Sequence, residues 1–463
     1  MQKDSLTLAD LPESSLIEAL CALPLRDTFG VTACDKKLLF VGFSAAHLPA
    51  IEDDAPLPLS FLPLLQSRFP KLQASVLAHL EGDWLPRGKA LKLAGALVRK
   101  LVVRLSESVG ESELLFILKS CPSLYRFELT DYDLVGEVTG EFLQHLPSRL
   151  RELRLCLLRS LQDENLRAAI EAAPGLQSVS LEGNDALTSN GMVALANLRL
   201  QELILVCTRA GSVSQITEEM LMQILEAKGA KPKADRPIGT HTATDTGGSF
   251  GLQALEVSER AGPPLQLTEG GVHVMTALGK HRVRSLSLSG VVGLGDKALC
   301  ILGKACPALK ELILYRPGNQ LSSAGLQQAL ECFSSLESLS LGCVADFSGA
   351  FKAVCSGGHR LKTLEMTRYF RTAAEVSLVS VVRALQSAVA FPTLRTAFFR
   401  GTFSAEQVAA CHLTMDLQPN ASLQVQWSQL DEQTFGVDWC HDGEQGEQVC
   451  VHLQRCFREG EFI

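Results

Sequence analysis

The side chains most able to do chemistry in this 463-residue sequence are thiols, imidazoles and one glycine cluster, and each would imply a different reaction. Cys440-His441, Cys450, His452 and Cys456 offer soft ligands in sufficient number for zinc. Nine and five residues separate the three cysteines, however, which does not match the short knuckles that pre-organise a tetrahedral site. The tail therefore reads as a structural cap, and no metal is expected. Gly290-Val-Val-Gly293-Leu-Gly295 lies between a strand pattern and a helix pattern, where a dinucleotide loop would lie, but its order is GxxGxG rather than GxGxxG. No Walker motif cradles a phosphate, and the ten histidines are scattered without an HExxH pair or a nucleophile elbow. No catalytic group and no cofactor is expected, and the chain reads as a non-enzyme.

Composition agrees with a binding role. Apolar residues make up 46% and charged residues 20%, enough for a buried core, and the formal net charge of -8 argues against nucleic acid, which needs a basic stripe. No stretch reaches the run of apolar residues a membrane span requires, and Met1-Gln2-Lys3-Asp4 does not begin a signal peptide. Fourteen cysteines without a CxxC pair then read as reduced thiols, which points to the cytoplasm or nucleus.

The elements that would position any site are set by a repeat. A leucine, two residues, an apolar residue, one residue and another apolar residue recur at Leu124-Phe127-Leu129, Leu150-Leu153-Leu155, Leu176-Val179-Leu181 and Leu200-Leu203-Leu205. The series resumes at Leu252-Leu255-Val257, Val283-Leu286-Leu288, Leu309-Leu312-Leu314, Leu336-Leu339-Leu341 and Leu361-Leu364-Met366. Val98-Leu101-Val103 reads as an earlier member, and weaker ones are expected near Leu394 and Leu423. The step from Leu200 to Leu252 is twice the period of about 26 residues, so a further unit with an insertion is expected inside it. Each strand pattern is followed by apolar residues at helical spacing, as in Leu114-Ile117-Leu118 and Leu326-Leu330, with Asp163, Thr217, Asp296 and Ser322 as expected N-caps and Gly229 as an expected stop. One strand and one helix cannot bury these leucines alone, so the units must stack. The expected fold is α/β: a leucine-rich-repeat solenoid of roughly eleven to thirteen units, with a curved parallel sheet inside and helices outside.

Leu286-Ser-Leu-Ser-Gly290, Asp296-Lys-Ala-Leu-Cys300 and Lys304-Ala-Cys-Pro-Ala-Leu-Lys-Glu-Leu-Ile-Leu314, with Cys-Pro repeated at Cys121-Pro122, resemble the cysteine-containing leucine-rich repeat common in F-box proteins. Leu11-Pro12, Leu16, Leu20, Leu23-Pro24-Leu25-Arg26-Asp27 and Cys34-Asp-Lys36-Lys37 resemble an F-box in order. It is a degenerate one, since Leu38 and Leu39 stand where an aromatic residue usually follows the basic pair. The resemblance implies an F-box substrate receptor of an SCF-type ubiquitin ligase, with Leu11, Pro12, Leu16, Leu20 and Leu25 docking the adaptor and, through it, a cullin. The same stretch also reads as a plain helical cap of the stack.

The expected organisation is an F-box-like helical segment at 1–43, a helical linker or cap at 44–97 with a helix over Leu72 to Leu80, repeats at 98–425 interrupted at about 229–251, and a C-terminal cap at 426–463. Strand alternation places Glu128, Glu152, Arg154, Glu202, Ile204, Glu256, Glu311, Ile313, Tyr315, Glu365 and Phe398 on the face opposite the leucines, together with Arg126, Glu182 and Arg400. That face is acidic with a few apolar anchors, and these are the candidate target-binding residues. Three functions fit: a ligase receptor acting as a monomer in a hetero-complex, a non-ligase scaffold within a large assembly, and a GTPase-activating repeat protein.

Overall fold

The computed structural model describes residues 76–80, 98–105, 109–131, 138–208, 216–227, 251–260, 264–317, 320–342, 344, 346–358, 360–367, 393, 396–403, 423–429 and 447–455. The F-box-like segment, most of the linker, the insertion and most of the expected C-terminal cap lie outside them, as does Gly229. The chain divides into two compact units, Met1–Arg199 and Leu200–Ile463.

The first unit is built on strands β1 Val76–Leu80, β2 Val98–Arg104, β3 Arg126–Thr130, β4 Glu152–Cys156 and β5 Ser178–Glu182, each parallel to the next. Helices α1 Glu111–Ser120 and α2 Asp163–Ala172 return the chain in two repeats. In two others the return is short: a 3-10 turn at Glu141–His145, and a four-residue helix α3 Ser189–Met192 running into a 3-10 turn at Val193–Asn197. These short returns still bury Phe142, Leu143, Met192 and Leu195, so they plug the same core with fewer residues.

The second unit runs β6 Glu202–Cys207, α4 Glu218–Glu226, β7 Ala254–Glu259, β8 Leu265–Gln266, α5 Val272–Leu278, β9 Ser285–Ser289, β10 Val291–Val292, α6 Asp296–Ala305, β11 Glu311–Tyr315, α7 Ser323–Cys332, β12 Ser338–Gly342, α8 Phe347–Gly357, β13 Thr363–Thr367, β14 Thr396–Phe403, β15 Leu423–Gln429 and β16 Glu447–Arg455. From β6 to β14 the long strands pair in parallel, each with the next in the chain, and β8 pairs separately with β10. Both units are lengths of leucine-rich-repeat solenoid. Every leucine-type position of the nine motifs from Leu124 to Met366 is buried, while the residues between them on the strands are mostly half-buried.

Four expectations are corrected. Residues 76–80 form a strand rather than part of a helix; Val-Leu-Ala-His-Leu is too short an apolar run for periodicity to separate the two, and pairing to β2 decides it. No hidden repeat lies between Leu205 and Leu252, because β6 bonds directly to β7 with Glu202 opposite Ala254. The double-length step is one long repeat. Leu423 does not begin a further repeat: β15 and β16 are antiparallel, and β16 lies along β14, turning the last parallel strand into the edge of a hairpin.

The fourth correction concerns the caps. Thr217 and Ser322 do accept from the amides of Met220 and Gly325, as expected. Asp163 and Asp296 do not cap their own helices, whose N-cap positions are Gln162 and Gly295. Each carboxylate instead reaches the next repeat. Asp163 accepts from the amide of Thr188 at 2.8 Å and its hydroxyl at 2.6 Å; Asp296 accepts from the amide of Ser322 at 2.7 Å and its hydroxyl at 2.6 Å. Glu111 does the same with Thr139, Gly140 and Phe142, and Glu218 with Thr268. The carboxylate occupies the space a side chain would take on the third residue after the cap, which is why Gly191 and Gly325 stand there: a Cβ would fall 2.1 Å from Asp163 Oδ1 and 1.9 Å from Asp296 Cγ. These clasps join neighbouring repeats on the helical side of the sheet.

Asp296→Ala removes two such charge-assisted bonds at a partly exposed site and is expected to lower stability by about 1–2 kcal/mol. Urea denaturation checks it; a midpoint equal to that of the unaltered protein would mean that the clasp contributes nothing.

The Cys-Pro pairs also find their physical reason. Cys121 and Cys306 are the C-cap residues of α1 and α6, each donating its amide back to the last turn, from Cys121 to Ile117 and from Cys306 to Leu302. Burial pushes their thiols up to about 12 and about 11, so they are packing groups rather than nucleophiles.

Candidate protein-binding face

In each unit the sheet face away from the buried leucines is a set of rows running across the strands, because the parallel registers align equivalent residues. In the first unit the rows are Lys100, Arg126, Glu152, Ser178, then Val102, Glu128, Arg154, Ser180, then Arg104, Thr130, Cys156, Glu182. This surface is largely occupied with itself. The Arg126 guanidinium lies 3.0 Å from Glu128 and 3.7 Å from Glu152, with all three side chains about a quarter exposed, and Arg154 stands beside Glu128 in register. Pairs this open contribute little to stability, but they cancel charge locally. Cys156, on the same face, is pushed up to about 11 by burial and then by Glu182 and Glu128 nearby, so it is no nucleophile.

The second unit differs. Its rows are Glu202, Ala254, Ser285, Glu311, Ser338, Thr363 and, one step along the strands, Ile204, Glu256, Ser287, Ile313, Ser340, Glu365. The next row carries Ser289, Tyr315, Gly342 and Thr367. Strands β6, β7, β9, β11, β12 and β13 contain no Lys or Arg, so the acidity noted in the sequence is concentrated here rather than spread over both units. Ile313 and Tyr315 rise from β11 between two strands floored by small residues: Ser285, Ser287 and Ser289 on one side, Ser338, Ser340 and Gly342 on the other.

Details fix this relief. A Cβ on Gly342 would lie 2.0 Å from the Tyr315 ring, so the ring rests on the glycine and closes that end of β12. Ser285 donates to Glu311 at 2.8 Å, and Ser340 donates to Glu365 at 3.3 Å, which leans each carboxylate over a serine strand. The candidate residues Glu202, Ile204, Glu256, Glu311, Ile313, Tyr315 and Glu365 are all half-buried on one face. Phe398 aligns with Glu365 and His452 in the backbone register. Leu11, Pro12, Leu16, Leu20 and Leu25 lie outside the described residues. Sequence reading missed Gly342 as the seat of Tyr315; its signal was a glycine in a strand that otherwise repeats Ser-Leu-Ser-Leu.

A chain in a solved structure, the crystal structure of the Rad7 and Elc1 complex in yeast, is similar to this one. Identity is 15% and the TM-score 0.46, over 82% of this chain and 92% of that one. No family model matches, and no curated protein matches in sequence.

Among the described residues, no group of three or more His, Cys, Asp or Glu is arranged to hold a metal ion, and no helix is long and apolar enough to cross a membrane. The glycine cluster at 290–295 is repeat architecture: it lies in step with the repeat, and Gly290 and Gly293 both hold left-handed backbone against the carbonyls of Glu259 and Leu267 in the preceding repeat. What the face can do chemically is bind, through carboxylates, hydroxyls and two large apolar side chains set on a rigid sheet.

Proposed function

We propose that this chain is a protein-binding leucine-rich-repeat receptor that carries out no reaction itself. In this reading the second unit's sheet face docks a target protein, and residues 8–41 dock the adaptor of an SCF-type ubiquitin ligase. The observation that carries the docking half is the relief at β11, where Ile313 and Tyr315 stand above serine-floored neighbours in strict register. Large apolar and aromatic side chains flanked by small ones are what binding hot spots use. The adaptor half rests on the F-box-like order of Leu11, Pro12, Leu16, Leu20 and Leu25 and on the cysteine-containing repeat type. The mechanism is proximity: a target held on the sheet keeps its lysines at high effective concentration near a recruited conjugating enzyme. The chain then acts as a monomer within a hetero-complex, in the cytoplasm or nucleus.

Affinity capture from cells tests both halves. The tagged protein is expected to retain the SCF adaptor, to lose it on Leu16→Asp with Leu20→Asp, and to lose its target tenfold or more on Ile313→Asp. Absence of the adaptor, or capture indifferent to Leu16→Asp and Leu20→Asp, sinks the ligase reading; target capture indifferent to Ile313→Asp sinks the docking face.

A further inference from the structure

The first unit carries a charged surface of its own, on the edge where each helical return hands over to the next strand. The residue after the first apolar position of each motif is Arg99, Tyr125, Arg151 and Gln177 in turn. Backbone bonds step along them: Tyr125 donates its amide to the Arg99 carbonyl at 2.7 Å, Arg151 to Tyr125 at 2.8 Å and Gln177 to Arg151 at 2.8 Å. Tyr125 therefore stands between two arginines, one strand spacing of about 4.8 Å from each. It is 43% exposed, the one exposed large hydrophobic side chain among the described residues. The turns leading into β3 and β4 add Lys119 and Arg149, both exposed, and neither residues 119–125 nor residues 145–151 contain a carboxylate.

No described residue neutralises this edge. Arg99, Lys119 and Arg149 make no ion pair or side-chain hydrogen bond with any of them. Arg151 donates to the Gly175 carbonyl at 2.6 Å, and only a glycine leaves it room, since a Cβ there would fall 1.9 Å from Nη1. A carbonyl has no net charge, so this bond holds the guanidinium in place without cancelling it. Glu152, next in the chain, lies 3.7 Å from Arg126 on the sheet face, and Glu171, on the turn that follows, pairs with none of the four cations among the described residues. Open cations add little to folding, so the stability of the unit does not account for four of them around an exposed ring.

A ligand for this edge brings negative charge and a group to cover the ring. Guanidinium forks bind carboxylates two bonds at a time, and tyrosine and arginine are the side chains that protein hot spots favour. Nucleic acid fits less well. Its affinity grows with the number of phosphates neutralised, and four cations on a chain of net charge -8 reach few.

We propose that this edge docks an acidic segment of a partner protein, whose carboxylates are taken by Arg99, Arg149 and Arg151 while an apolar side chain covers the Tyr125 ring. Lys119 adds attraction at longer range. The surface belongs to the first unit, so it stands or falls without the face that carries Ile313 and Tyr315.

The test uses the full chain and three fluorescent probes: a short peptide with glutamates on both sides of a leucine, the same peptide with glutamines in their place, and a single-stranded oligothymidylate of matching length. Anisotropy is expected to show the glutamate peptide binding at least tenfold more tightly than either of the others. Arg99→Gln with Arg149→Gln, and separately Tyr125→Ala, should each weaken it at least tenfold. Neither arginine side chain bonds to a described residue, so the paired variant keeps its fold, and thermal melting verifies this for both. Arg282→Gln with Arg284→Gln takes two cations from the corresponding edge of the second unit and should change binding less than about twofold. No binding of the glutamate peptide, equal binding of the glutamine peptide, or binding unchanged by the Arg99 and Arg149 pair or by Tyr125→Ala overturns the proposal. An equal loss in the Arg282 and Arg284 pair overturns it too, since the attraction is then that of the whole chain. Equal or tighter binding of the oligothymidylate overturns the acidic protein in favour of nucleic acid.

Discussion

Gly290→Ala is expected to destabilise the second unit by about 3 kcal/mol or more, enough to lower its thermal midpoint by several degrees. Gly290 follows β9 with φ of 65°, and the equivalent post-strand residues Leu157 and Arg316 hold φ of 62° and 52° with full side chains. Left-handed backbone costs a non-glycine residue about 1–2 kcal/mol, and two repeats tolerate it. Contact is what sets Gly290 apart. A Cβ there would lie 2.3 Å from the carbonyl oxygen of Glu259 and 3.1 Å from its Cβ, and backbone cannot turn aside as a side chain can. The same carbonyl accepts from the Arg316 guanidinium at 3.0 Å, which also reaches the Arg260 carbonyl at 2.9 Å, so a methyl at 290 intrudes on a bond spanning from β11 back to β7. Calorimetry on Gly290→Ala beside Arg316→Ala checks this: the glycine variant should fall further. Equal or smaller destabilisation by Gly290→Ala means that the ladder relaxes around the methyl.

The second large effect is expected at Asn184, which is 4% exposed. Its side-chain amide donates to the Leu155 carbonyl at 2.9 Å, and its side-chain oxygen accepts from the Leu158 amide at 3.1 Å. These two backbone groups flank the left-handed Leu157 and lie where the preceding repeat leaves the sheet, so the asparagine completes hydrogen bonding that the strands cannot. Asn184→Ala leaves a buried carbonyl and a buried amide without their partner, a cost of about 2–4 kcal/mol. Asn184→Asp keeps the acceptor but loses the donor and is expected to be at least as damaging at neutral pH, since it sets a carboxylate against the Leu155 carbonyl. Urea unfolding of both variants measures this. A loss below about 0.5 kcal/mol for Asn184→Ala would show that water replaces the side chain at no cost.

The repeat was legible because its signal is redundant: nine motifs in step, each leucine buried, and the parallel registers following from the spacing. The face was legible for the same reason, since alternation along a strand leaves each residue between leucines only one side to occupy. The connections carried less. Val76–Leu80 is five residues with no partner visible in sequence until β2 pairs with it. The step from Leu200 to Leu252 has two repeats' length, and length does not distinguish an extra strand from a longer return. Asp163 and Asp296 sit beside a cap position, and only the neighbouring repeat shows that their carboxylates point across rather than down the helix. A signature was present all the same: Thr188-Ser-Asn-Gly191 and Ser322-Ser-Ala-Gly325 each pair a hydroxyl cap with a glycine three residues later, and each follows an acidic first helical residue one repeat earlier. Charge cancellation around Arg126 depends on side-chain geometry across strands, which composition averages away.

The clasp from Glu218 to Thr268 spans 50 residues of chain, and the one from Asp296 to Ser322 spans 26, yet both close a single step of the stack. Closing the longer loop adds only about 0.6 kcal/mol of entropy, because that penalty grows with the logarithm of length. Rung spacing and contour length are therefore decoupled at the β6–β7 step. Evolution or an engineer can lengthen, shorten or replace the intervening segment, even with a whole inserted domain, and leave the pitch of the solenoid on either side untouched.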